Sequence, residues 1–357
     1  MCSSTAQIGW RVSLVVADGL GDEIVGGVCI FDVGRAPGRL GRVWQSVGRV
    51  FRKAEELDAD IYQLHDPELL PVGLKLRKAG KIVIFDSHED FPRQILTKHY
   101  LLAPIRHTLS KLAELYERVA APKLSGIIGA TPLIQKKFER LNSRSVAVRN
   151  YPLVEELRFE ERTQTMRQAV CYIGSMSVAR GIIEICDAIN LSRSGARLLL
   201  AGDLSPDEAL RSSVLSAAAA GRIEALGFLD RAGVRGVLQR SVAGLVTLHP
   251  TASYVDSLPI KLFEYMSAGI PVIASNFPLW ADIVNSTECG LLVNPRDSRQ
   301  IAHAIDWMVS NPDEARRMGL NGQKAVADRY NWASEERRLL AFYKDLLQAG
   351  TSPDTAS

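Results

Sequence analysis

A predicted turn and helix in the second half of the chain carry two acids and a lysine. Asp256 and Glu264 are separated by seven residues, and Lys261 lies one turn into the helix that a Ser-Leu-Pro turn opens. The first N–H groups of a helix lack backbone partners and bind anions. Lys261 adds a mobile cation, and Glu264, on the same helix face, accepts hydrogen bonds from hydroxyl groups. The combination predicts a site for a ligand with phosphate and hydroxyl groups, such as a sugar nucleotide.

A glycine-bearing turn supplies a second candidate for phosphate binding. Gly174 and Ser175 follow a predicted strand, and Arg180 lies just before the next predicted helix. A guanidinium group can bind phosphate through two parallel hydrogen bonds. The same residues are also compatible with an ordinary strand-to-helix turn, so both interpretations stay open at this point.

Two histidines in the first half follow predicted strands. His88 comes directly after a buried run that ends at Phe85, which places it at the edge of a sheet. We expect a functional role for His88, although a lone histidine is often structural. His65 and Asp66 follow another strand, and the sequence leaves open whether they face an acceptor or have no role.

The elements that must position these residues are recurrent apolar, β-branched runs between helical stretches. Such runs predict parallel α/β sheets, with enough strands in each half for one doubly wound sheet whose ligands bind at the carboxyl ends of the strands. The predicted strands are Trp10–Ala17, Val28–Val33, Asp60–Leu64, Lys81–Phe85, Gly126–Gly129, Val146–Val148, Ala169–Ile173, Arg197–Ala201, Ile223–Leu226, Gly244–Thr247, Pro271–Ala274 and Gly290–Val293.

The length of 357 residues predicts two domains. We expect an N-terminal domain over 1–152 and a C-terminal domain over 165–330, because the polar stretch 155–167 has the character of a linker. An apolar stripe predicts a last helix over 332–347 that joins the first domain.

Composition excludes several classes of protein. Apolar residues at 46% and charged residues at 23% are ordinary for a soluble protein. No apolar run reaches the roughly 18 residues that span a bilayer, and no signal-peptide layout is present. Five scattered cysteines, without a Cys-x-x-Cys pair or nearby histidines, predict free thiols in a reducing, cytoplasmic compartment and no metal site.

The charge is uneven along the chain. Residues 1–150 contain 22 Lys and Arg against 16 Asp and Glu. No recognition motif or aromatic-basic interleaving accompanies this excess, which argues against nucleic acid. An anionic membrane surface or a lipid-phosphate acceptor fits better, with a solvated helix face as the alternative. The basic residues concerned are Arg35, Arg39, Arg42, Arg49, Arg52, Lys53, Arg93, Lys98, Arg106 and Lys111.

Residues 256–278 resemble the donor-binding motif of the family-4 (group 1) glycosyltransferases, which is usually Glu, seven residues, Glu. The Pro turn and the Ala-Gly-Ile-Pro-Val exit of the helix strengthen this resemblance. Residues 174–181 are similar to the family's Gly-Arg-Leu, three residues, Lys-Gly signature. Ser175 replaces the usual arginine, and Arg180 replaces the usual lysine.

The resemblance covers nearly the whole chain and implies the α/β GT-B fold, with two Rossmann-like domains that face a central cleft. It implies retaining, metal-independent transfer of a sugar from a UDP- or GDP-sugar to a saccharide or lipid-linked acceptor in bacterial surface polysaccharide synthesis, with no cofactor. His88 and Asp256 would contact the donor sugar, and Asn150 would be a hinge or turn residue between the domains. The implied donor-binding residues are Gly174, Ser175, Arg180, Phe228, Leu229, Ser257, Leu258, Pro259, Ile260, Lys261 and Glu264.

The start of the chain differs from the family pattern. Residues 6–10 resemble the end of the family's first helix, so the first βα unit is absent from this sequence. Its strand would lie mid-sheet, and its loss leaves unpaired backbone groups on both neighbours. We therefore expect an upstream coding segment for a strand, a glycine-containing loop and most of a helix.

Two other functions remain open. The absent βα unit and Ser175 are compatible with a catalytically impaired homologue that acts as a non-enzymatic partner or persists as a relic. A nucleotide-sugar epimerase of the same architecture is the third candidate, although the Pro-Ile-Lys-Leu-Phe-Glu segment argues against it.

Overall fold

The computed structural model describes residues 1–36, 38, 45–98, 101–157, 168–203, 208–219 and 221–351. The chain divides into two compact units, one formed by Met1–Arg149 with Glu335–Ser357 and the other by Asn150–Ser334. The expected linker is helical over Val154–Leu157. Its remainder, 158–167, lies outside the described residues.

Strands and helices alternate through most of the chain. The strands are β1 Val12–Val16, β2 Glu23–Val25, β3 Val28–Asp32, β4 Ile61–Leu64, β5 Ile82–Ser87, β6 Gly126–Gly129, β7 Ser145–Ala147, β8 Ala169–Ile173, β9 Arg197–Ala201, β10 Ile223–Gly227, β11 Ser241–Val246, β12 Val272–Ser275 and β13 Gly290–Val293. The α-helices are α1 Cys2–Gln7, α2 Val47–Leu57, α3 Leu70–Lys78, α4 Phe91–Leu96, α5 Ala103–Ala120, α6 Pro132–Glu139, α7 Val154–Leu157, α8 Ile182–Leu191, α9 Glu208–Ala219, α10 Arg231–Arg240, α11 Ile260–Ser267, α12 Pro278–Thr287, α13 Ser298–Ser310, α14 Pro312–Asp328 and α15 Trp332–Thr351.

The second unit contains one parallel sheet with the order β10-β9-β8-β11-β12-β13. Successive residues of β9 enter different cores: Leu199 and Ala201 belong to one apolar cluster, Leu198 and Leu200 to the other. Both faces are therefore covered, as continuous apolar strands require. The chain proceeds outwards in opposite directions from β8 and β11, so the strand order reverses between these two strands.

The first unit differs from the expectation of one sheet. It contains a sheet of order β1-β3-β2 and a separate parallel sheet of order β4-β5-β6-β7. β1 and β4 are edge strands that do not hydrogen-bond to each other. The predicted single sheet is wrong because twelve apolar runs give the strands but not their pairing.

Side chains connect β4 to the segment that enters β1. The ring of Tyr343 on α15 stacks on Trp10, with 5.8 Å between the ring centroids. Its hydroxyl donates a hydrogen bond to Oε1 of Gln63 on β4. Arg149 Nη1 lies 3.6 Å from Glu335 Oε1, and the backbone N–H of Arg149 donates to Oε2 of Glu335. These contacts hold α15 within the first unit.

All twelve predicted strands are present, with small shifts at their ends. The largest shift is in β11, which begins at Ser241 rather than Gly244. The sequence analysis missed β2, which pairs antiparallel with β3 across the Gly26-Gly27 turn. That glycine pair is the signal that predicts a hairpin.

Candidate functional site

The predicted phosphate-binding segments lie where the strand order reverses in the second unit. Gly174 follows β8, and the segment that leads to α11 follows β11. A β-carbon at Gly181, whose φ is +72°, would lie 2.1 Å from the carbonyl oxygen of Thr247. Glycine therefore allows the turn after β8 to pack on the segment after β11. A reversal point of this kind is where open α/β sheets bind ligands.

The amine of Lys261 is the central charge of this region. Nζ is buried, has no hydrogen-bond partner among the described residues, and lies 3.6 Å from the centroid of the Tyr172 ring. A β-carbon at Gly174 would come within 3.3 Å of this nitrogen and 3.9 Å of Arg180 Nη1. The structure therefore brings Gly174, Arg180 and Lys261 together. Burial, followed by the nearby charge of Arg180, lowers the pKa of Lys261 to about 7.

The turn after β8 holds the arginine in place. Arg180 ends a short 3₁₀ helix, and its Nη1 donates to the carbonyl oxygen of Ser175 at 3.3 Å. The hydroxyl of Tyr172 donates to the same carbonyl at 2.9 Å. Ser175 therefore contributes through its backbone, which positions the arginine that replaces the family's lysine.

Glu264 is held by an arginine that sequence reasoning missed. Arg231 Nη1 lies 2.7 Å from Glu264 Oε1, and Arg231 Nε lies 2.8 Å from Glu156 Oε1. Arg231 begins α10, close behind Phe228 and Leu229. Phe228 is 78% exposed, whereas Leu229 packs against the core. The ion pair brings the 228–231 segment to α11, a contact that only the fold reveals.

Hydrogen bonds from α12 and within the turn fix the segment before α11. Trp280 is fully buried, and its Nε1 donates to the carbonyl oxygen of Ser257 at 2.7 Å. The Ser257 hydroxyl donates to the carbonyl oxygen of Tyr254 at 2.9 Å. Trp280 is thus a second positioning residue that the sequence analysis missed, because only the fold brings α12 to this turn.

The remaining predicted residues of this segment surround the start of the helix. Asp256 is half-buried at the end of a turn, and Leu258 packs on the core. Pro259 is the N-cap of α11, which begins at Ile260, and its side chain accepts no hydrogen bond from the first turn. The N-terminus of this eight-residue helix therefore retains its capacity to bind an anion.

His88 of the first unit belongs to a cluster with His65 and Asp86. His65 Nδ1 lies 3.1 Å from His88 Nε2 and 3.3 Å from Asp86 Oδ2, and His88 Nε2 lies 3.5 Å from the same oxygen. His65 and His88 follow β4 and β5, whose parallel pairing brings their ends together. Burial raises the pKa of the fully buried Asp86 and lowers the pKa of His65. Asp66 does not belong to the cluster.

Several predicted basic residues pair within the chain. Arg49 Nη1 donates to the carbonyl oxygen of Val33, and Lys53 Nζ lies 3.3 Å from Glu56 Oε2. Arg93 Nε lies 3.4 Å from Asp90 Oδ2. Arg39 and Arg42 lie outside the described residues. The basic residues between positions 35 and 53 therefore support contact with an anionic membrane less strongly than the sequence alone suggested.

The helix α5 has an exposed apolar face that the sequence analysis missed. Large hydrophobic side chains recur every three or four residues along α5 and are exposed by 38–71%. Three of them, Leu109, Leu112 and Tyr116, border an apolar groove of about 470 Å³ that also contains Lys98. The exposed residues are Leu102, Ile105, Leu109, Leu112, Leu115, Tyr116 and Val119.

Helix length and the state of the cysteines are both defined in the described part of the chain. None of its helices has the length and apolar character needed to cross a bilayer. All five cysteines are free, and Cys171, Cys186 and Cys289 are buried as expected. Cys2 and Cys29 are only half-buried. Asn150 is exposed and begins the second unit.

Comparison with known proteins finds a family model that matches most of the second unit. Residues 154–325 match the family model of the group 1 glycosyl transferases. The phosphatidyl-myo-inositol mannosyltransferase of Mycobacterium leprae is 25% identical over 318 residues, which cover 87% of this chain and 79% of that relative.

Solved structures show the same fold across both units. The sucrose-phosphate synthase of Thermosynechococcus elongatus superposes with a TM-score of 0.79 at 18% identity, over 98% of this chain and 92% of that one. The Anabaena protein HepE, solved with UDP and glucose, gives a TM-score of 0.68 at 16% identity, over 89% and 86% of the two chains. The architecture is therefore that of the GT-B glycosyltransferases.

The buried amine leads to a testable expectation about stability. Burial and the nearby charge of Arg180 lower the pKa of Lys261 from its ordinary value of 10.5 to about 7 in the folded protein. The folded state thus binds this proton less well, so the wild type is penalised fully below pH 7 and progressively less up to pH 10.5. We expect Lys261→Met to raise the free energy of unfolding by about 1–4 kcal/mol at pH 7. Thermal unfolding between pH 6 and 10 measures this gain, which should shrink at the alkaline end.

Lys324→Met is the matched control, because Lys324 is exposed on α14. It should change stability by less than about 0.5 kcal/mol. A loss of stability in Lys261→Met would mean that the amine is satisfied in the folded protein.

Proposed function

We propose that the protein transfers a sugar from a UDP- or GDP-sugar to a saccharide or lipid-linked acceptor, from the premise that residues 154–325 match the family model of the group 1 glycosyl transferases. The observation that carries the proposal is the buried amine of Lys261, which has no hydrogen-bond partner among the described residues and lies beside Arg180 and Gly174. Two cations without a bound anion are costly in a partly dry site. A diphosphate supplies the missing negative charge.

The donor is bound by groups that suit its separate parts. Arg180, Lys261 and the N-terminus of α11 bind the diphosphate. Glu264 accepts the ribose hydroxyls through the carboxylate oxygen that Arg231 does not hold. Phe228 and Leu229 border the base, and Asp256 contacts the sugar through one of its carboxylate oxygens.

The proposed reaction is retaining and needs no metal ion at the donor. The bond between the anomeric carbon and the diphosphate breaks, and a bond to the acceptor oxygen forms on the same face of the sugar. The acceptor proton leaves with the departing diphosphate. Arg180, Lys261 and the helix dipole stabilise the charge that develops on this leaving group. His88 acts at the transferred sugar.

The proposed acceptor is lipid-linked, and the protein works in the cytoplasm at the inner face of a bacterial membrane during surface polysaccharide synthesis. The exposed apolar face of α5 supports this placement, together with the basic residues Lys98, Arg106 and Lys111 near it. The name of the mycobacterial relative also states a lipid acceptor. We commit to an anionic bilayer as the partner of this face.

Loss of the carboxylate at Glu264 should weaken donor binding. Glu264→Gln removes a charged acceptor and its pairing with Arg231. We expect the affinity for UDP-glucose or GDP-mannose, whichever binds the wild type, to fall by about 1–3 kcal/mol. Calorimetric titration measures this change. Glu288→Gln, which breaks a surface pair with Arg317, should leave the affinity unaltered.

Equal donor affinities in wild type and Glu264→Gln would contradict the proposed contact between Glu264 and the ribose hydroxyls. Release of nucleoside diphosphate only in the presence of acceptor separates a transferase from an epimerase. Donor binding without such release, over a range of lipid-linked saccharides, would favour the impaired homologue.

Removal of the His88 imidazole should affect turnover more than nucleotide binding. We expect His88→Ala to lower kcat at least tenfold, about 1.4 kcal/mol of barrier, because His88 acts on the sugar and not on the nucleotide. The dissociation constant of UDP or GDP should change by less than about twofold, or ~0.4 kcal/mol. Steady-state kinetics at saturating donor and a parallel titration give the two values.

His107→Ala is the control for this measurement, because His107 is exposed on α5. If turnover in His88→Ala stays within about twofold of wild type, or ~0.4 kcal/mol, His88 is structural.

An acidic residue on the apolar face of α5 should abolish membrane binding. Leu112→Asp places a carboxylate where a 57% exposed leucine would meet the bilayer. We expect the wild type to sediment with phosphatidylcholine vesicles that contain phosphatidylglycerol and the variant to remain in solution. Leu320→Asp changes a leucine that is 51% exposed on α14 and should sediment like wild type.

A wild-type protein that stays in solution with these vesicles would contradict the membrane assignment. A dimer in light scattering that Leu112→Asp dissociates would show that a second copy covers this face instead.

A further inference from the structure

Three potential metal ligands converge at the ends of β4 and β5. His65, Asp86 and His88 each offer one ligand atom, and these three atoms lie within 4.8 Å of one another. The sequence analysis predicts no metal site, since its argument considered the cysteines and the histidines near them. His65 lies more than twenty positions from Asp86 and His88. The parallel pairing of Gln63 with Ile84 and of Leu64 with Phe85 creates the cluster.

The distances between the ligand atoms match those around a small tetrahedral ion. The two imidazole nitrogens are 3.1 Å apart and lie 3.3 and 3.5 Å from Asp86 Oδ2. Zinc bonds of about 2.0–2.1 Å place tetrahedral ligands roughly 3.3–3.4 Å apart. Calcium and magnesium prefer oxygen ligands, whereas two imidazoles with one carboxylate suit zinc and its neighbours in the first transition series.

Burial of the carboxylate gives an independent indication of a ligand. Asp86 is fully buried, and its Oδ1 has no hydrogen-bond partner within the described part of the chain. Both neighbouring histidines are neutral when they act as hydrogen-bond acceptors, so they do not guarantee a compensating charge. A buried carboxylate without a cation is costly. A divalent ion supplies that charge.

Outer groups orient the carboxylate as they do in known metal centres. Gln63 Nε2 donates to Asp86 Oδ2 at 2.7 Å, and the Tyr343 hydroxyl donates to Gln63 Oε1. Hydrogen-bonded carboxylate ligands of this kind keep their orientation and tune the metal. The side chains of His65 and His88 are 40% and 43% exposed, so solvent reaches the open coordination position.

We propose that His65 Nδ1, Asp86 Oδ2 and His88 Nε2 bind one Zn²⁺, with water as the fourth ligand. The site shares His88 with the proposed sugar contact but has no residue in common with the proposed diphosphate and ribose contacts, and its existence does not depend on the proposed transferase activity. Occupation engages the imidazole of His88, so bound zinc and a direct contact between His88 and a sugar exclude each other.

Metal titration of the full chain tests the site without any activity measurement. We expect the chelator-treated protein to bind one equivalent of Zn²⁺ in calorimetry. Co²⁺ as a probe should give the visible absorption of a tetrahedral nitrogen and oxygen site. His65→Asn should weaken binding of both ions at least tenfold, because it removes a ligand from a partly exposed position. His303→Asn, which changes an exposed histidine on α13, should bind like wild type.

A stability measurement guards against a variant that misfolds. Zn²⁺ should raise the melting temperature of wild type and of His303→Asn, but not that of His65→Asn. Asp86→Asn should also lose the effect. Absence of stoichiometric binding to the wild type, or equal binding in wild type and His65→Asn, would overturn the proposal and leave a hydrogen-bonded cluster.

Discussion

A buried lysine amine without a hydrogen-bonding partner in the described chain is the constraint that explains the second unit. Lys261 Nζ lies over the face of Tyr172, and Arg180 adds a second positive charge nearby. This arrangement lowers the pKa of the amine and destabilises the empty protein. The folded state tolerates this cost because the surrounding sheet, which has apolar clusters on both faces, contributes the stability of the second unit. An anionic ligand relieves the same cost.

The strand order of the sheet determines where the buried amine and its neighbouring cation lie. β8 and β11 are neighbours, and the chain leaves them in opposite directions, so the turns after both strands meet at one edge. Gly181 lets these turns approach more closely than any side chain would allow. Trp280 and Arg231, from elements remote in sequence, then fix the segment before α11 and the carboxylate of Glu264. A site with few ligand-binding groups thus depends on a much larger supporting structure.

Local sequence patterns predicted the strands and helices better than the contacts between them. Four of the predicted strands, among them Ala169–Ile173 and Arg197–Ala201, have the observed bounds, because buried parallel strands are continuous apolar runs. The spacing of Lys261 and Glu264 on one helix was likewise visible, since it depends on helical geometry alone. Arg231 and Trp280 could not be found this way, because their contacts span 33 and 23 residues. The division of the first sheet depends on strand pairing, which composition does not encode.

The first unit buries a carboxylate where the second unit buries an amine, and the groups around each show how the two sites differ. Asp86 is a buried anion with a free oxygen among the described atoms, whereas Lys261 is a buried cation. Gln63 and Tyr343 orient Asp86 but carry no charge, so they satisfy its geometry without neutralising it. The imidazoles of His65 and His88 also lie beside it, and each is neutral or cationic according to its protonation. The charge of this cluster is therefore adjustable. In the second unit Arg180 stays cationic, and an anionic ligand would favour the protonated form of Lys261. That site suits the diphosphate of the proposed donor, whereas the histidine cluster suits chemistry that changes charge.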